Sequence, residues 1–241
     1  YFGEGASNQG QVFESLNLGG NYTYSHTYGT AITEDRGSGP RSFGWTSYPE
    51  YSDPAWNIPT GSLPQDQTHR LVAWATYDLP IPKSLGALNL SAVHTWNSGT
   101  PYGAVGSVAT GPYVPDVGYE TPPSSVSYYF TKRDAFRLPD THRTDLALNY
   151  SYNIGPVEVF VQPQVTNVFG NQAVIAVNTT VETRVNRRND YVAFNPFTTQ
   201  PTQEARGTGA NWNYGPSFGK PTSSASYQAP RLFRIGFGVR F

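Results

Sequence analysis

The chain has 241 residues, with 16 Lys plus Arg against 17 Asp plus Glu, no Cys and no Met. Charged residues make up 14% and aromatic residues 15%, whereas soluble globular domains carry about 25% charged residues. The near-neutral balance gives no general attraction to polyanions, so nucleic acid is a poor partner class; the lack of Cys removes disulfides, thiolate catalysis and Cys-ligated metal centres.

No purely apolar run exceeds five residues, against about 20 for a spanning helix, so no spanning helix is expected, and no signal peptide is expected within these residues. The chain opens at Tyr1 rather than Met, so it is expected to be a processed product or a piece of a longer protein. A mean hydropathy of −0.47 leaves a spanning β-strand open, because such a strand alternates apolar with polar residues and averages out.

That alternation occurs in six segments. In 16–28 the even positions read Leu16, Leu18, Gly20, Tyr22, Tyr24, His26 and Tyr28, and the odd ones are small and polar. Segment 70–79 places Leu71, Ala73, Ala75, Tyr77 and Leu79 on one side, and 87–97 does the same with Leu88, Leu90, Ala92, His94 and Trp96. Segments 145–154 (Leu146, Leu148, Tyr150, Tyr152, Ile154) and 157–167 (Val157, Val159, Val161, Val165) follow. The last, 231–241, alternates Phe233, Ile235, Phe237, Val239 and Phe241 with Arg234, Gly236, Gly238 and Arg240. Each is near the 10 residues that a tilted strand needs to cross a bilayer. Leu71, Ala73, Leu88, Leu90, Leu146, Leu148, Val159 and Ile235 are therefore expected on a lipid face, and Asn89, Asn149, Ser151, Gln162 and Arg234 on a lumenal one. Pro163 interrupts the fifth segment, and a bulge is expected there.

The connections alternate long (29–69), short (80–86), long (98–144), short (155–156) and long (168–230). This is the layout of an antiparallel outer-membrane barrel with long extracellular loops. Tyr24, Tyr28 and Trp96 fall near the outer ends of strands, and Tyr77, Tyr150, Tyr152, Phe237 and Phe241 near the inner ends, as two interfacial belts. Six strands are too few to close, since spanning barrels start at about eight. The chain is thus expected to end a longer barrel or to pair with other chains.

Several strings in order are similar to the C-terminal barrel portion of TonB-dependent outer-membrane transporters, especially the Oar-like type with a carboxypeptidase-regulatory-like N-terminal domain. They are Tyr22-Thr23-Tyr24-Ser25, Asp66-Gln67-Thr68-His69-Arg70-Leu71, Tyr77-Asp78-Leu79-Pro80, Ser98-Gly99-Thr100-Pro101-Tyr102, Arg143-Thr144-Asp145-Leu146, Asn167-Val168-Phe169-Gly170-Asn171 and Phe218-Gly219-Lys220-Pro221. The resemblance implies a barrel of roughly 22 strands, of which residues 1–241 are the C-terminal part. It also implies a Gram-negative outer membrane with its lipid and lipopolysaccharide, and uptake of a scarce solute driven by TonB through an N-terminal part not contained in this sequence. The run Gly236, Phe237, Gly238, Val239, Arg240, Phe241 resembles the assembly signal read by the barrel assembly machinery. A structural or adhesive outer-membrane barrel with binding loops is the alternative.

No catalytic, cofactor or metal motif is present, so no enzyme activity or cofactor is expected. His69 and His142 each sit in a Thr-His-Arg triplet preceded by Asp66 and Asp140. Each triplet is expected to open a descending strand at one rim, with the Asp and Arg pairing there. The carboxylates of Glu34, Asp35, Asp116, Glu120 and Asp190 lack calcium-loop spacing. In the long loops, Trp45, Tyr48, Tyr51, Trp56, Tyr191, Trp212 and Tyr214, with Phe43, Phe194 and Phe197, are candidate ligand contacts or rings that fold over the mouth. Arg184, Arg187 and Arg188 form a small basic cluster suited to phosphate.

Overall fold

The structure is a computed structural model, described here for residues 16–29, 59–113, 124–185 and 190–241. It is all-β, with fourteen strands and no α-helix among the described residues. In chain order these are β1 (Leu16–Tyr24), β2 (Tyr28–Gly29), β3 (Gly61–Ser62), β4 (His69–Leu79), β5 (Ala87–Asn97), β6 (Pro101–Tyr102) and β7 (Val105–Ala109). Then follow β8 (Ser125–Tyr129), β9 (Phe136–Arg137), β10 (Thr141–Ile154), β11 (Val157–Thr166), β12 (Val181–Glu182), β13 (Asn213–Tyr214) and β14 (Leu232–Arg240).

The six long strands make one antiparallel sheet in the order β1-β4-β5-β10-β11-β14, which is not closed: β1 and β14 are its edges. They fall in the six alternating segments of the sequence; β1 ends at Tyr24, short of the expected 28, and β10 begins earlier than the pattern indicated, at Thr141. Strands β4 and β5 are joined through 80–86, which holds a short 3-10 turn at Lys83–Leu85. Strands β10 and β11 are joined by Gly155 and Pro156, with Gly155 at φ 60, a left-handed value that glycine adopts without strain. The three other connections run from the opposite end of the sheet and hold the short two-stranded pairs β2–β3, β6–β9, β7–β8 and β12–β13.

Register turns the alternation into two chemically distinct faces. One row of directly opposed residues reads Leu18, Ala75, Ala92, Leu146, Val165, Phe233 across all six strands. The next reads Asn17, Thr76, Ser91, Ala147, Gln164, Arg234. Successive side chains in a strand point to opposite faces, so one face of the sheet is mainly apolar and aromatic and the other mainly polar. Leu71, Ala73, Leu88, Leu90, Leu146, Leu148, Val159 and Ile235 share the first face, and Asn89, Asn149, Ser151, Gln162 and Arg234 the second.

Pro163 departs from expectation. It produces no bulge: β11 keeps one register with β10 on both sides of it (Tyr150 opposite Val161, Ala147 opposite Gln164) and an unbroken register with β14. Only the pairing at Leu148 and Asn149 lapses, because the missing proline N–H would have met the Leu148 carbonyl. The Gln162 side-chain amide bridges this gap by donating to Asn149 Oδ1 at 3.0 Å. Replacing Pro163 by Val should restore the ladder bond and raise stability by about 0.5–1.5 kcal/mol. A higher thermal midpoint of the purified full-length protein is the expected reading, and an unchanged or lower one would count against this account.

Candidate functional site

The buried hydrophobic residues lie outside the large sheet, in the long connections at one end. Ala104, Val181 and Trp212 form one cluster with Phe130, Tyr214 and Phe218 packed against it, and Val108, Tyr128 and Phe194 form another that shares Phe130. Aromatic contacts join them: Phe130 lies 4.9 Å from Trp212 and 4.9 Å from Tyr128, and Tyr214 lies 4.5 Å from Phe218, centroid to centroid. Edge-to-face and tilted rings at such spacing add to what burial alone contributes. The connections therefore form a packed cap with a core of its own.

This packing decides the fate of several candidate contact residues. Trp212 and Tyr191 are buried, with 3% and 5% of their surface exposed, so their rings stabilise the cap and present no face to a ligand in this arrangement. Phe194 is buried likewise. Tyr214 is half-buried, and burial raises the pKa of its phenol, as it does for Tyr102. Trp45, Tyr48, Tyr51, Trp56 and Phe43 lie outside the described residues, as do Glu34, Asp35, Asp116, Glu120, Arg187 and Arg188. Arg184 is exposed, and Asp190 sits 3.7 Å from Arg206, which also pairs with Glu182 at 2.8 Å. A cleft of about 230 Å³ opens between Pro59, Tyr129, Lys132 and Pro201, and an apolar one of about 170 Å³ between Val108, Tyr113, Val185 and Val192. Among the described residues, no group of three or more His, Asp or Glu is placed to hold a metal ion.

Three polar clasps hold the connections of the cap to one another and to the sheet. The first centres on Asp66, whose side chain is fully buried. Its carboxylate accepts from the Thr27 backbone N–H at 2.8 Å, from the Thr68 hydroxyl at 3.1 Å and from Arg137 Nη2 at 3.0 Å, with His26 Nδ1 at 3.2 Å. Burial pushes the Asp66 pKa up, but the Thr27, Arg137, Thr68 and His26 contacts together outweigh it and hold the group below its ordinary value. Arg137 in β9 also donates to the Gly99 carbonyl at 2.7 Å, so a single guanidinium joins two long connections. Nearby, Asp134 accepts from the Ser62 N–H at 2.9 Å; burial raises its pKa, but bonds from Ser62 bring it lower than normal.

The second clasp is Asp140, which accepts from Trp96 Nε1 at 3.0 Å and from the Gly99 N–H at 3.1 Å. Gly99 lies so close to the Leu138 carbonyl that any Cβ would collide with it, which accounts for glycine in the Ser98-to-Tyr102 string. The third is Asn167, buried in a left-handed conformation at φ 53. Its N–H donates to Asp145 Oδ1, its amide donates to the carbonyls of Asn171 and Ala229, and its Oδ1 accepts from the Asn171 N–H. One side chain thus ties the start of 167–231 to its end.

These clasps correct one expectation. Both Thr-His-Arg triplets do lie at the cap end of the sheet, but neither Asp pairs with the Arg of its own triplet. Arg70 donates to Asn97 Oδ1, and Arg143 pairs with Asp145 at 3.1 Å. Instead the histidines belong to a row of rings along the cap end of the apolar face: Tyr24 to His69 at 5.5 Å, His69 to Trp96 at 6.0 Å, Trp96 to His142 at 6.4 Å and His142 to His94 at 6.1 Å. Tyr77, Tyr150, Tyr152 and Phe237 lie toward the other end, where the Tyr150 hydroxyl donates to the Leu85 carbonyl at 2.8 Å. Tyr28 leaves the large sheet and pairs with Ser62 in β2–β3. In β14, Gly236, Phe237 and Val239 are exposed, as is Phe241 beyond it.

The assembly so defined is an open antiparallel sheet, apolar on one face, with a packed aromatic cap clasped to one end. No family profile, curated protein or solved structure matches this chain.

Asp66→Ala should loosen the cap, because the Thr27 N–H and the Arg137 guanidinium lose their buried acceptor, at a cost of about 1–3 kcal/mol. Faster proteolysis within 59–140 than in wild type is the expected result, and equal rates would contradict the clasp. The depressed Asp66 pKa also carries a sign: the contribution is whole above its unfolded pKa of 3.8 and disappears as pH falls through the lower folded value. Cap protection should therefore drop on acidification below about pH 4 in wild type and less in the Asp66→Ala variant.

Proposed function

We propose that the chain is the C-terminal part of an outer-membrane β-barrel of the TonB-dependent, Oar-like transporter type, serving uptake of a scarce solute. The observation that carries this reading is the apolar face of the sheet. Phe237 is 84% exposed and Ile235 71%, and among the described residues no second layer covers the rows from Leu18 to Phe233 or from Tyr22 to His142. A contiguous apolar surface this large is unfavourable against water and favourable against hydrocarbon.

Dimensions and chemistry agree with a membrane setting. From His142 to Tyr150 a strand rises about 27 Å, and tilted by about 40° it spans roughly the apolar band of a barrel wall. Rings at both ends suit the headgroup level, where one edge is apolar and the other wet. The opposite face, with Asn89, Asn149, Ser151, Gln162 and Arg234, suits a water-filled interior. The free edges of β1 and β14 would be closed by further strands, since unpaired backbone groups are costly in lipid. The cap then stands on the outside, facing lipopolysaccharide and solute. The barrel assembly machinery and TonB, the latter through an N-terminal part, are the partners this reading calls for. A plug domain and TonB box upstream would favour transport over the structural or adhesive alternative.

Two measurements test the membrane part. Leu148→Arg should cost about 2–4 kcal/mol of folding free energy and reduce the heat-modifiable, membrane-inserted fraction of the full-length protein, whereas Asn149→Arg should leave it near wild type. Equal effects would remove the assignment of faces. Phe241→Asp, at the end of the run that resembles an assembly signal, should lower insertion far more than Ser217→Ala in the cap, scored by the same gel shift.

A further inference from the structure

All four glycines of the large sheet lie in its two edge strands: Gly19 and Gly20 in β1, and Gly236 and Gly238 in β14. The four strands between contain none. In each edge strand every residue is exposed except one, Gly19 in β1 and Gly238 in β14. The same two glycines have an aromatic ring of the neighbouring strand lying over them. Trp74, directly opposite Gly19, fills the space that a Cβ there would need. Phe160, directly opposite Gly238, does the same, with ring carbons 2.6 and 2.9 Å from the Cβ position. Gly236 differs: a Cβ there would meet nothing closer than 3.9 Å.

The location of these joints explains their use. A tight turn sets the register of the strands it connects, and β4–β5 and β10–β11 are joined by short connections and carry no such joint. Strands β1 and β4 are joined through 25–68, and β11 and β14 through 167–231, which are too long to impose a register. We propose that Trp74 on Gly19 and Phe160 on Gly238 are register keys: each ring fits only where the opposing residue has no side chain. In β1, a slip of two residues would bring Asn17 or Asn21 against Trp74, and neither leaves the notch. In β14, a slip of two in one direction sets Arg240 against Phe160, and in the other sets Gly236 there. The second slip is opposed by Arg240, which lies over the Phe160 ring at 4.8 Å and pairs with Glu158 at 3.3 Å; both contacts exist only in the observed register. The third long junction, β5–β10, is keyed differently, by the Trp96–His142 stack and the His94–Thr144 hydrogen bond at 2.8 Å. The inference concerns strand pairing and does not depend on the membrane reading.

Cysteine cross-linking reads the register directly, because this chain has no native Cys. Val159 faces Val239 in the observed register and would face Phe237 after the permissive slip. In the full-length protein expressed in cells, Val159→Cys with Val239→Cys should form a disulfide on mild oxidation, mapped by peptide mass. Val159→Cys with Phe237→Cys should not, since diagonal neighbours lie about 7–8 Å apart, beyond disulfide reach. Adding Gly238→Val should abolish the 159–239 link and produce the 159–237 link, while adding Gly236→Val should leave the 159–239 link alone. Phe160→Ala, which creates no clash, should yield both links, and Phe160→Tyr only the first. Retention of the 159–239 link as the sole product in the Gly238→Val and Phe160→Ala backgrounds would overturn the proposal. Membrane fractionation of the same cultures reports separately on the barrel reading, since a register shift is seen whether or not the protein is inserted.

Discussion

The organisation of this protein depends on the hydrogen-bonded ladder that holds six strands in constant register. Because side chains alternate from face to face, a ladder without a slip converts six separate alternating segments into one continuous apolar face and one polar face. A shift of one residue at any junction would mix the two. The ladder tolerates even a proline: at Pro163 the pairings of Leu148 and Asn149 lapse, and the Gln162–Asn149 hydrogen bond spans the gap without a change of register.

The cap follows from the same arrangement by a different route. Its three long connections leave the same end of the sheet, so their apolar residues meet each other and not the sheet faces. Phe130, Trp212, Tyr128 and Phe194 come from connections far apart in sequence and make one aromatic core. Polar side chains do the fastening. Asp66, Asp140 and Asn167 sit where a strand passes into the cap, and each accepts from or donates to backbone groups that would otherwise lack partners at a strand end.

The strands were legible in the sequence because their signal is local and repeated, and the boundaries of β4 and β5 could be read almost to the residue. What was not legible depended on contacts between distant segments. Arg137 carries no motif and lies 71 positions from Asp66, so proximity in sequence pointed to Arg70 instead. Trp212 and Tyr191 looked like exposed loop rings because composition cannot tell a ring that meets a ligand from one that meets Phe130 or Arg206. The expected bulge at Pro163 failed for a related reason: the compensating bond runs from Gln162, its neighbour in β11, to Asn149 in the adjacent strand β10. The Ser98-to-Tyr102 and Asn167-to-Asn171 strings stood out in the sequence, and their residues hold the ends of the cap connections in place.

The separation of apolar surface into two places has a consequence for how the molecule responds to its surroundings. The cap hides its rings against each other, so its cohesion is the ordinary kind that operates in water and weakens with urea. Among the described residues the sheet has no second layer to hide its apolar face, and it depends on whatever medium lies against it. One chain therefore answers to two solvents. Its cap is governed by aqueous denaturants and acidity, its sheet by the medium against its apolar face, and the clasps at Asp140 and Asn167 join the two.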